Sequence, residues 1–280
     1  MADPTALTGR PVLLAVAPNG ARRTRADHPG LPLTAADLAA TATSCLDAGA
    51  AMIHLHVRDD SGAHVLDADL YKAAIRAVRD AVGDRMIVQI STEAGGRYQP
   101  EHQIAVVGQV RPEAVSLALR ELCPDSARET AFAAFLAVLA REKIVAQFIL
   151  YDSEDIARLV AMMARGIVPH EAPPVLYVLG RYSSAADSRP IDLLPLITAA
   201  KGQLSDFMVC AFGPREAACV TSGALLGGDV RVGFENNIAR PDGRRAPDNA
   251  ALVTAVRDPL ARLGFRTADA DTVRSRWLRG

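Results

Sequence analysis

The sequence predicts an α/β fold: a single (β/α)₈ TIM barrel with an added C-terminal helix, spanning residues 1–280. Eight short apolar runs alternate with longer segments whose apolar residues recur every three or four positions. Eight such repeats fit the length of the chain, because barrels of this type take about 250 residues. Half of the residues are hydrophobic and only 5% are aromatic, which suits helices packed around a parallel sheet.

A doubly wound open sheet is the structural alternative. A dinucleotide-binding sheet would carry a glycine-rich phosphate fingerprint after its first strand. This chain instead reads Pro18-Asn19-Gly20-Ala21-Arg22 at that place. The barrel is therefore favoured.

The strands are predicted where short runs are apolar and rich in β-branched residues. They are Val12–Ala17, Met52–Val57, Met86–Ser91, Ala114–Leu119, Ile144–Tyr151, Val175–Leu179, Phe207–Phe212 and Val230–Glu235. The clearest helical spacings are Ala35–Ala48, Ala68–Val82, Ala127–Arg141, Glu154–Arg165 and Glu216–Leu226, and Thr267–Leu278 is the added helix. Thr34 and Ser153 are expected to cap two of these helices, because a hydroxyl can accept a bond from an orphan amide.

Composition and charge restrict the partners. A net charge of -1 argues against nucleic acid or an anionic membrane. The four cysteines form no C-x-x-C pair, so we expect reduced, mostly buried thiols. No apolar run reaches the roughly 18 residues needed to span a bilayer, and Met1-Ala2-Asp3-Pro4 does not begin a secretory signal. The sequence therefore predicts a cytoplasmic protein.

The most informative segment is the predicted second strand, which contains His54 and His56. Side chains on a strand alternate between its faces, so both imidazoles should point the same way, with Leu55 opposite. Two imidazoles on one face can chelate a metal; alternatively, each is a buried histidine held by hydrogen bonds. The pairing favours metal ligation.

Glu235 ends the predicted eighth strand, which only the first strand separates from the second in a closed barrel. Barrel enzymes assemble their chemistry at the carboxyl ends of the strands, so this carboxylate could join the two histidines. Two histidines, one carboxylate and an open fourth position are typical of catalytic zinc. The alternative is a salt bridge from Glu235 to Arg231 or Arg58.

Hydroxyl groups mark the ends of two further strands. Ser91 and Thr92 end the third strand, and Ser116 lies in the fourth. These hydroxyls could face a bound carbonyl group, or they could bond to the backbone.

Five segments together resemble the β-keto acid cleavage enzymes, a family that includes 3-keto-5-aminohexanoate cleavage enzyme. They are Ala17–Ala21, Thr24–Pro29 running on to Leu31–Thr34, His54–Arg58, Gln89–Thr92 and Val230–Glu235. The resemblance extends from Val12 to Val253. It implies a zinc-dependent barrel, usually a homo-oligomer such as a dimer or tetramer. Its reaction would convert a β-keto acid and acetyl-CoA, the co-substrate, into acetoacetate and a new acyl-CoA.

The resemblance also implies site residues. The metal ligands fall on His54, His56 and Glu235; the catalytic positions on Ser91, Ser116, Arg231 and Asn236; and the substrate-binding positions on Asn19, Arg22 and Thr92. In the family the arginine works beside an acidic residue as a proton-transfer dyad. Arg231 lies on the predicted eighth strand four residues before Glu235, so the two side chains should share a face.

Asn236 departs from the family, whose members often carry an aspartate there. An amide cannot take a proton as a carboxylate does, so another acid would have to serve, and Asp59 is a candidate. Leu119-Arg120-Glu121 also replaces the small and amide residues expected after the fourth strand.

Arg22 is the second departure, because members that cleave amino substrates carry a glutamate there. Reversing that charge predicts a preference for neutral or anionic β-keto acids, for example a β-keto diacid.

Two other functions fit the same residues. One is an aldolase or hydrolase that acts on a keto acid with a metal but without CoA. The other is a catalytically inactive barrel that binds metal as a sensor or scaffold.

Overall fold

In the computed structural model, residues 9–181 and 187–277 are described. The strands are β1 (Leu14–Val16), β2 (Met52–Leu55), β3 (Val57–Arg58), β4 (His64–Val65), β5 (Ile87–Ser91), β6 (Ala114–Ala118), β7 (Val145–Leu150), β8 (Val175–Leu179), β9 (Phe207–Ala211) and β10 (Asp229–Val232). Eight of them form a closed parallel barrel in the order β1-β10-β9-β8-β7-β6-β5-β2, while β3 and β4 pair separately and antiparallel. The predicted barrel is confirmed.

The helices surround the barrel. They are α1 (Ala35–Asp47), α2 (Ala68–Val82), α3 (Pro100–Val110), α4 (Leu119–Leu122), α5 (Glu129–Arg141), α6 (Ser153–Ala164), α7 (Leu194–Ala200), α8 (Glu216–Leu225), α9 (Asn249–Arg262) and α10 (Ala270–Trp277). The main hydrophobic core lies between helices and strands. None of the helices in the described ranges is long and apolar enough to cross a membrane.

The added C-terminal helix is present as α10, while Leu278 of the predicted range lies outside the described residues. Val273 and Trp277 of α10 are buried with Leu13 and Met52 in a second apolar cluster. Since Leu13 and Met52 lie where β1 and β2 begin, this helix covers the amino-terminal end of the barrel. Barrel enzymes assemble their active sites at the opposite end, which this helix does not cover.

Most of the predicted strands were too long, and for two of them the difference shapes the site. The strand β2 ends at Leu55, because the chain after His56 turns into the β3–β4 pair. The strand β10 ends at Val232. Gly233 follows it with a φ of +140°, and an added Cβ would lie 2.3 Å from the carbonyl oxygen of Ala17. Only glycine fits this close approach, and the chain turns there.

The two predicted helix caps differ in outcome. Thr34 caps α1 as expected, in a reciprocal capping box with Asp37. The expected cap at Ser153 is wrong, because Ser153 is already the first helical residue. Asp152 caps α6 instead, and its carboxylate accepts bonds from the backbone N–H groups of Glu154 and Asp155. A carboxylate at this position also interacts favourably with the positive, N-terminal end of the helix dipole.

All four cysteines are buried and free, which confirms the prediction made from their spacing.

Candidate metal and substrate site

A cavity of about 430 Å³, counting the part open to solvent, lies at the carboxyl ends of the barrel strands. Strands β2 and β5 to β10, or the loops that follow them, contribute its walls. The lining residues are His54, His56, Ser91, Thr92, Glu93, Ala118, Glu121, Ile149, Tyr151, Leu176, Val178, Arg181, Phe212, Arg231 and Glu235. Charged side chains therefore meet in one enclosed space, where their interactions are stronger than in water.

His54 and His56 point into this cavity from the same side, as their spacing predicted. Both are buried, and their Nε2 atoms are 3.1 Å apart. His56 lies just beyond β2, yet the two-residue separation still keeps both imidazoles on one side.

A chain of amides sets the tautomer of His54. Gln89 donates from its Nε2 to Oε1 of Gln147, so its own Oε1 faces Nδ1 of His54 at 2.8 Å. Nδ1 must therefore carry the proton and donate, which leaves a lone pair on Nε2 facing the cavity. Burial, aided by the charges of Arg231 and His56, lowers the pKa of His54 to about 3 even though Glu235 opposes it. The imidazole is neutral, the form that binds metals.

The two carboxylate oxygens of Glu235 face different neighbours, Arg231 on one side and the two histidines on the other. Oε1 accepts a bond from Nη2 of Arg231 at 2.9 Å, whereas Arg58 is not a partner. Oε2 is buried, accepts no hydrogen bond, and lies 3.5 Å from Nε2 of His56 and 3.7 Å from Nε2 of His54. Burial favours the neutral acid, but Arg231 and the two histidines outweigh it and lower the pKa of Glu235 well below its usual value.

These three side chains fit a divalent metal ion. Atoms bound tetrahedrally at 2.0–2.1 Å are about 3.4 Å apart, close to the observed separations of 3.1, 3.5 and 3.7 Å. His54, His56 and Glu235 are also the group of metal-ligating side chains that converges within the described ranges. A cation between them would satisfy the orphan oxygen Oε2 of Glu235.

Gly20 allows the side chain of Glu235 to lie against the loop after β1. Its φ is +61°, and an added Cβ would lie 2.5 Å from Cγ of Glu235. We expect Gly20→Ala to displace the carboxylate and weaken zinc binding about 10- to 100-fold, the usual cost of disturbing a ligand's support. A competition titration with a fluorescent chelator measures this affinity.

Gly95 provides the matched control, because its φ is +58° and its added Cβ would make only an ordinary contact, 3.5 Å from His64. Gly95→Ala should carry the same backbone strain and keep the wild-type zinc affinity. Equal affinities in both variants would show that Glu235 can shift without loss.

Glu216 positions the turn that contains Glu235. This buried residue begins α8, and it accepts bonds from the backbone N–H of Gly233 and from Nδ2 of Asn237. Burial raises the pKa of Glu216 to about 8. The sequence offered no signal for this role, because Glu216 appears there only as the first residue of an amphipathic helix.

Asn19, predicted to bind substrate, holds backbone instead. Its Nδ2 donates to the carbonyl oxygens of Pro32 and His56, and its Oδ1 accepts from the N–H of His56. It is fully buried and does not line the cavity. Arg58 strengthens the same region through bonds to the carbonyl oxygens of Gly20 and Arg23. The structure thus gives Asn19 the task of fixing a candidate metal ligand.

The three predicted hydroxyls lie at different depths. Ser91 and Thr92 line the cavity, where Oγ of Ser91 accepts from the N–H of Glu93 and Oγ1 of Thr92 donates to the carbonyl of Ser116. Ser116 is fully buried and its Oγ has no partner. It precedes the lining residue Ala118 by two positions on β6, so it lies one layer deeper in the barrel.

Arg231 is close to both Glu235 and Asn236. The prediction that Glu235 ends the strand is wrong, because β10 ends at Val232, but the turn after Gly233 still brings Glu235 to Arg231. Nη2 of Arg231 also lies 3.5 Å from Oδ1 of Asn236, at the limit of a hydrogen bond, while Nδ2 of Asn236 is buried and unpartnered. Burial opposes the charge of Arg231, but Cys210 and Glu235 outweigh it and raise its pKa. Arg231 therefore remains a cation and a donor.

Two charged residues considered from the sequence lie outside the cavity. Arg22 is exposed, and it makes no hydrogen bond or ion pair with another described residue. Its neighbour Arg23 points inward instead, with Nη2 3.3 Å from the carbonyl of Asn236. Asp59 does not line the cavity; it caps an exposed turn by accepting bonds from Ser61 and Ala63.

Glu93, Glu121 and Arg181 are cavity residues that sequence reasoning missed. Each lies in a loop or short helix after a strand, where no periodic pattern indicates direction. Glu93 and Arg181 form an ion pair, and Oε2 of Glu93 is 4.0 Å from Nε2 of His56. Glu121 accepts bonds from Ala94 and Gln103.

The family model described as beta-keto acid cleavage enzyme matches residues 11–277. The chain belongs to this family. The resemblance seen in the sequence is confirmed, and with it the assignment as an enzyme that cleaves carbon–carbon bonds.

Relatives of known name align with most of this chain. It is 28% identical to 3-keto-5-aminohexanoate cleavage enzyme from Acetoanaerobium sticklandii, over 85% of this chain and 87% of the relative. It is 25% identical to 3-oxoadipate:acetyl-CoA acetyltransferase from Cupriavidus necator, over 88% of this chain and 87% of the relative. These relatives act on different keto acids, so membership alone does not select a substrate.

Solved structures share the fold of this β-keto acid cleavage enzyme family member. The apo structure of ObcA superposes with a TM-score of 0.70 at 19% identity, covering 89% of this chain and 65% of that longer one. The HMG-CoA lyase from Brucella melitensis superposes with a TM-score of 0.57 at 13% identity, covering 96% and 97%. At these identities the likeness concerns the barrel alone.

Proposed function

We propose that this protein is a zinc-dependent β-keto acid cleavage enzyme that uses acetyl-CoA as co-substrate and forms acetoacetate and an acyl-CoA. The observation that carries the proposal is the convergence of His54, His56 and Glu235 beside the buried cation Arg231. This arrangement lies in the cavity at the carboxyl ends of the strands, in a chain that belongs to the family. Relatives named for acetyl-CoA-dependent transfer support the co-substrate.

The proposed metal ligands are His54, His56 and Glu235. Zinc there would supply Lewis-acid stabilisation of the negative charge that develops on the oxygens of an enolised β-keto acid. Gln89 keeps His54 in the metal-binding tautomer, Asn19 fixes the backbone of His56, and the fourth position remains for substrate oxygens or water.

Arg231 is proposed to stabilise negative charge at the reacting oxygens, because it remains protonated and lines the cavity. Ser91 and Thr92, at the end of the strand next to β2, are proposed to contact the bound keto acid. Ser116, one layer deeper, has an unpaired hydroxyl that can support this wall after a small rotation.

The proposal is tested with zinc-loaded protein and a panel of β-keto acids, each supplied with and without acetyl-CoA. We expect acetoacetate and a new acyl-CoA to form only when acetyl-CoA is present. Products formed without acetyl-CoA would favour the aldolase or hydrolase alternative, and binding without turnover would favour the inactive barrel. Light scattering on the same sample tests the proposed homo-oligomer.

Asn236→Asp should raise turnover about tenfold, equivalent to ~1.4 kcal/mol of the barrier. The new carboxylate would lie beside Nη2 of Arg231, where Oδ1 of Asn236 is now 3.5 Å away. It would restore the acid that the resemblance to the family leads us to expect at this place. Steady-state kinetics with saturating acetyl-CoA measures the change.

Asn236→Leu is the control for this experiment, because it keeps the branching and the number of side-chain heavy atoms and removes the acceptor. Its turnover should not rise. Loss of all activity in Asn236→Asp would show that the proton follows a different path, and the proposed role of Arg231 would then fail.

A further inference from the structure

We infer that Arg181 recognises a carboxylate at the far end of the substrate, so that the preferred β-keto acid is a diacid. This inference rests on the proposed function and names the substrate class for the same site. It assigns to Arg181 the charge recognition that the sequence suggested for Arg22.

Arg181 lies across the cavity opening from the candidate metal ligands. It follows β8 by two residues, and Glu93 follows β5 by two residues, while β6 and β7 lie between these strands in the barrel. Nη2 of Arg181 is 2.5 Å from Oε1 of Glu93, so the ion pair crosses the opening above two intervening strands. Because Arg181 lines the cavity, a substrate bound there lies within reach of this guanidinium.

The orientation of Arg181 does not depend on Glu93 alone. Its guanidinium carbon lies 5.1 Å from the ring centroid of Phe212, which follows the neighbouring strand β9. This cation–π contact positions the planar group from a second side. Because an arginine presents five N–H donors in a fork, it can keep its bond to Glu93 and still bind a second carboxylate.

The distance from the metal ligands matches a short diacid. One oxygen of Glu93 is 4.0 Å from Nε2 of His56 and the other is 2.5 Å from Arg181. The two oxygens of the Glu93 carboxylate are about 2.2 Å apart, so Nη2 of Arg181 is no more than about 9 Å from Nε2 of His56. An extended six-carbon diacid spans about 8 Å, so it can reach Arg181 while its keto end lies near His56.

The remaining charges favour an anion over a cation at this end. The side chain of Arg181 is 14% exposed, so its charge is poorly screened and a hydrogen bond to it is strong. Glu121, the other carboxylate in this part of the cavity, is already held by Ala94 and Gln103, and burial raises its pKa. It therefore offers less negative charge to a cationic substrate than its position suggests.

Calorimetric binding without acetyl-CoA tests this inference, with 3-oxoadipate and 3-oxohexanoate as probes. Both have six carbons and a β-keto acid end, and they differ only in a terminal carboxylate or methyl group. We expect the wild-type zinc-loaded protein to bind the diacid about 10- to 100-fold more tightly, and Arg181→Met to lose that preference. Arg181→Gln is the second variant in case the first one does not fold.

Arg22→Met is the matched control, because it removes an exposed arginine and should keep the diacid preference. Glu93→Gln should increase the preference, since it removes the competing carboxylate. An unchanged preference in both Arg181 variants, or tighter binding of 5-amino-3-oxohexanoate by the wild type, would overturn the inference. Because these measurements need no turnover, they stand apart from the acetyl-CoA assay, whose failure would contradict the proposed function instead.

Discussion

Replacing His56 with alanine should remove the bound zinc and lower cleavage activity at least about a thousandfold. Nε2 of His56 is one of three atoms, with Nε2 of His54 and Oε2 of Glu235, that meet at ligand spacing in the cavity. Without this ligand the ion should no longer be held, and its stabilisation of the developing negative charge, worth several kcal/mol, would be lost. A thousandfold loss of activity corresponds to ~4 kcal/mol of the barrier. Metal content by elemental analysis and acetoacetate formation should fall together.

His64→Ala is the matched control for this prediction. His64 is buried, and its ring centroid is 5.1 Å from that of His56, yet its Nε2 bonds to the carbonyl of Glu93 rather than facing the ligands. This variant should keep about one zinc ion per chain. Treatment with a chelator should inactivate the wild type reversibly, and added zinc should not rescue His56→Ala. Full zinc occupancy in a His54→Ala, His56→Ala double variant would place the metal elsewhere.

Replacing Arg231 with methionine should lower kcat about 100- to 1,000-fold while zinc remains bound. The expected loss is that of a single donor to a developing oxyanion. Zinc should be retained because Arg231 bonds to Oε1 of Glu235, whereas Oε2 is the oxygen that faces the histidines. Arg231→Lys should give an intermediate loss, since it keeps the charge but loses the planar fork.

Arg23→Met is the control for charge alone. Arg23 lies nearby, donating to the carbonyl of Asn236, but it does not line the cavity. Its loss should change kcat less than about threefold, whereas a loss as large as that of Arg231→Met would indicate a general electrostatic effect. Zinc content near zero in Arg231→Met would instead assign Arg231 a role in holding Glu235.

Some features of the site depend on local spacing, and these were predictable. The two-residue period of an extended chain places His54 and His56 on one side, and the structure confirms this even though β2 ends before His56. Thr34 caps α1 for an equally local reason. The barrel was predictable because eight apolar strand runs alternate with segments of helical periodicity along the chain. This pattern is local and can be recognised without knowing any long-range contact.

Strand ends were less predictable, because they depend on contacts between distant segments. The turn after β10 depends on the close approach of Gly233 to the carbonyl of Ala17, more than two hundred residues away in the sequence. It also depends on the hydrogen bond from the N–H of Gly233 to the carboxylate of Glu216. The sequence left two partners open for Glu235, a metal or an arginine. Only the turn places one oxygen on Arg231 and the other beside the two histidines.

The charged groups of the cavity opening show the same limit. Arg22 and Arg181 are both arginines in loops after strands, and nothing periodic in a loop indicates which side chain points inward. Closure of the barrel brings Arg181 to Glu93, 88 residues away, while it leaves Arg22 in solvent.

By itself, the sequence determined the barrel, the family and the two histidines on one side, because each follows from periodicity or from several short segments in order. The tertiary structure decided which oxygen of Glu235 faces the histidines, that Asn19 holds backbone, and which arginine reaches the cavity. The physical reason is that hydrogen bonds and ion pairs between loops form only after the barrel closes, and their geometry depends on residues far apart in the chain.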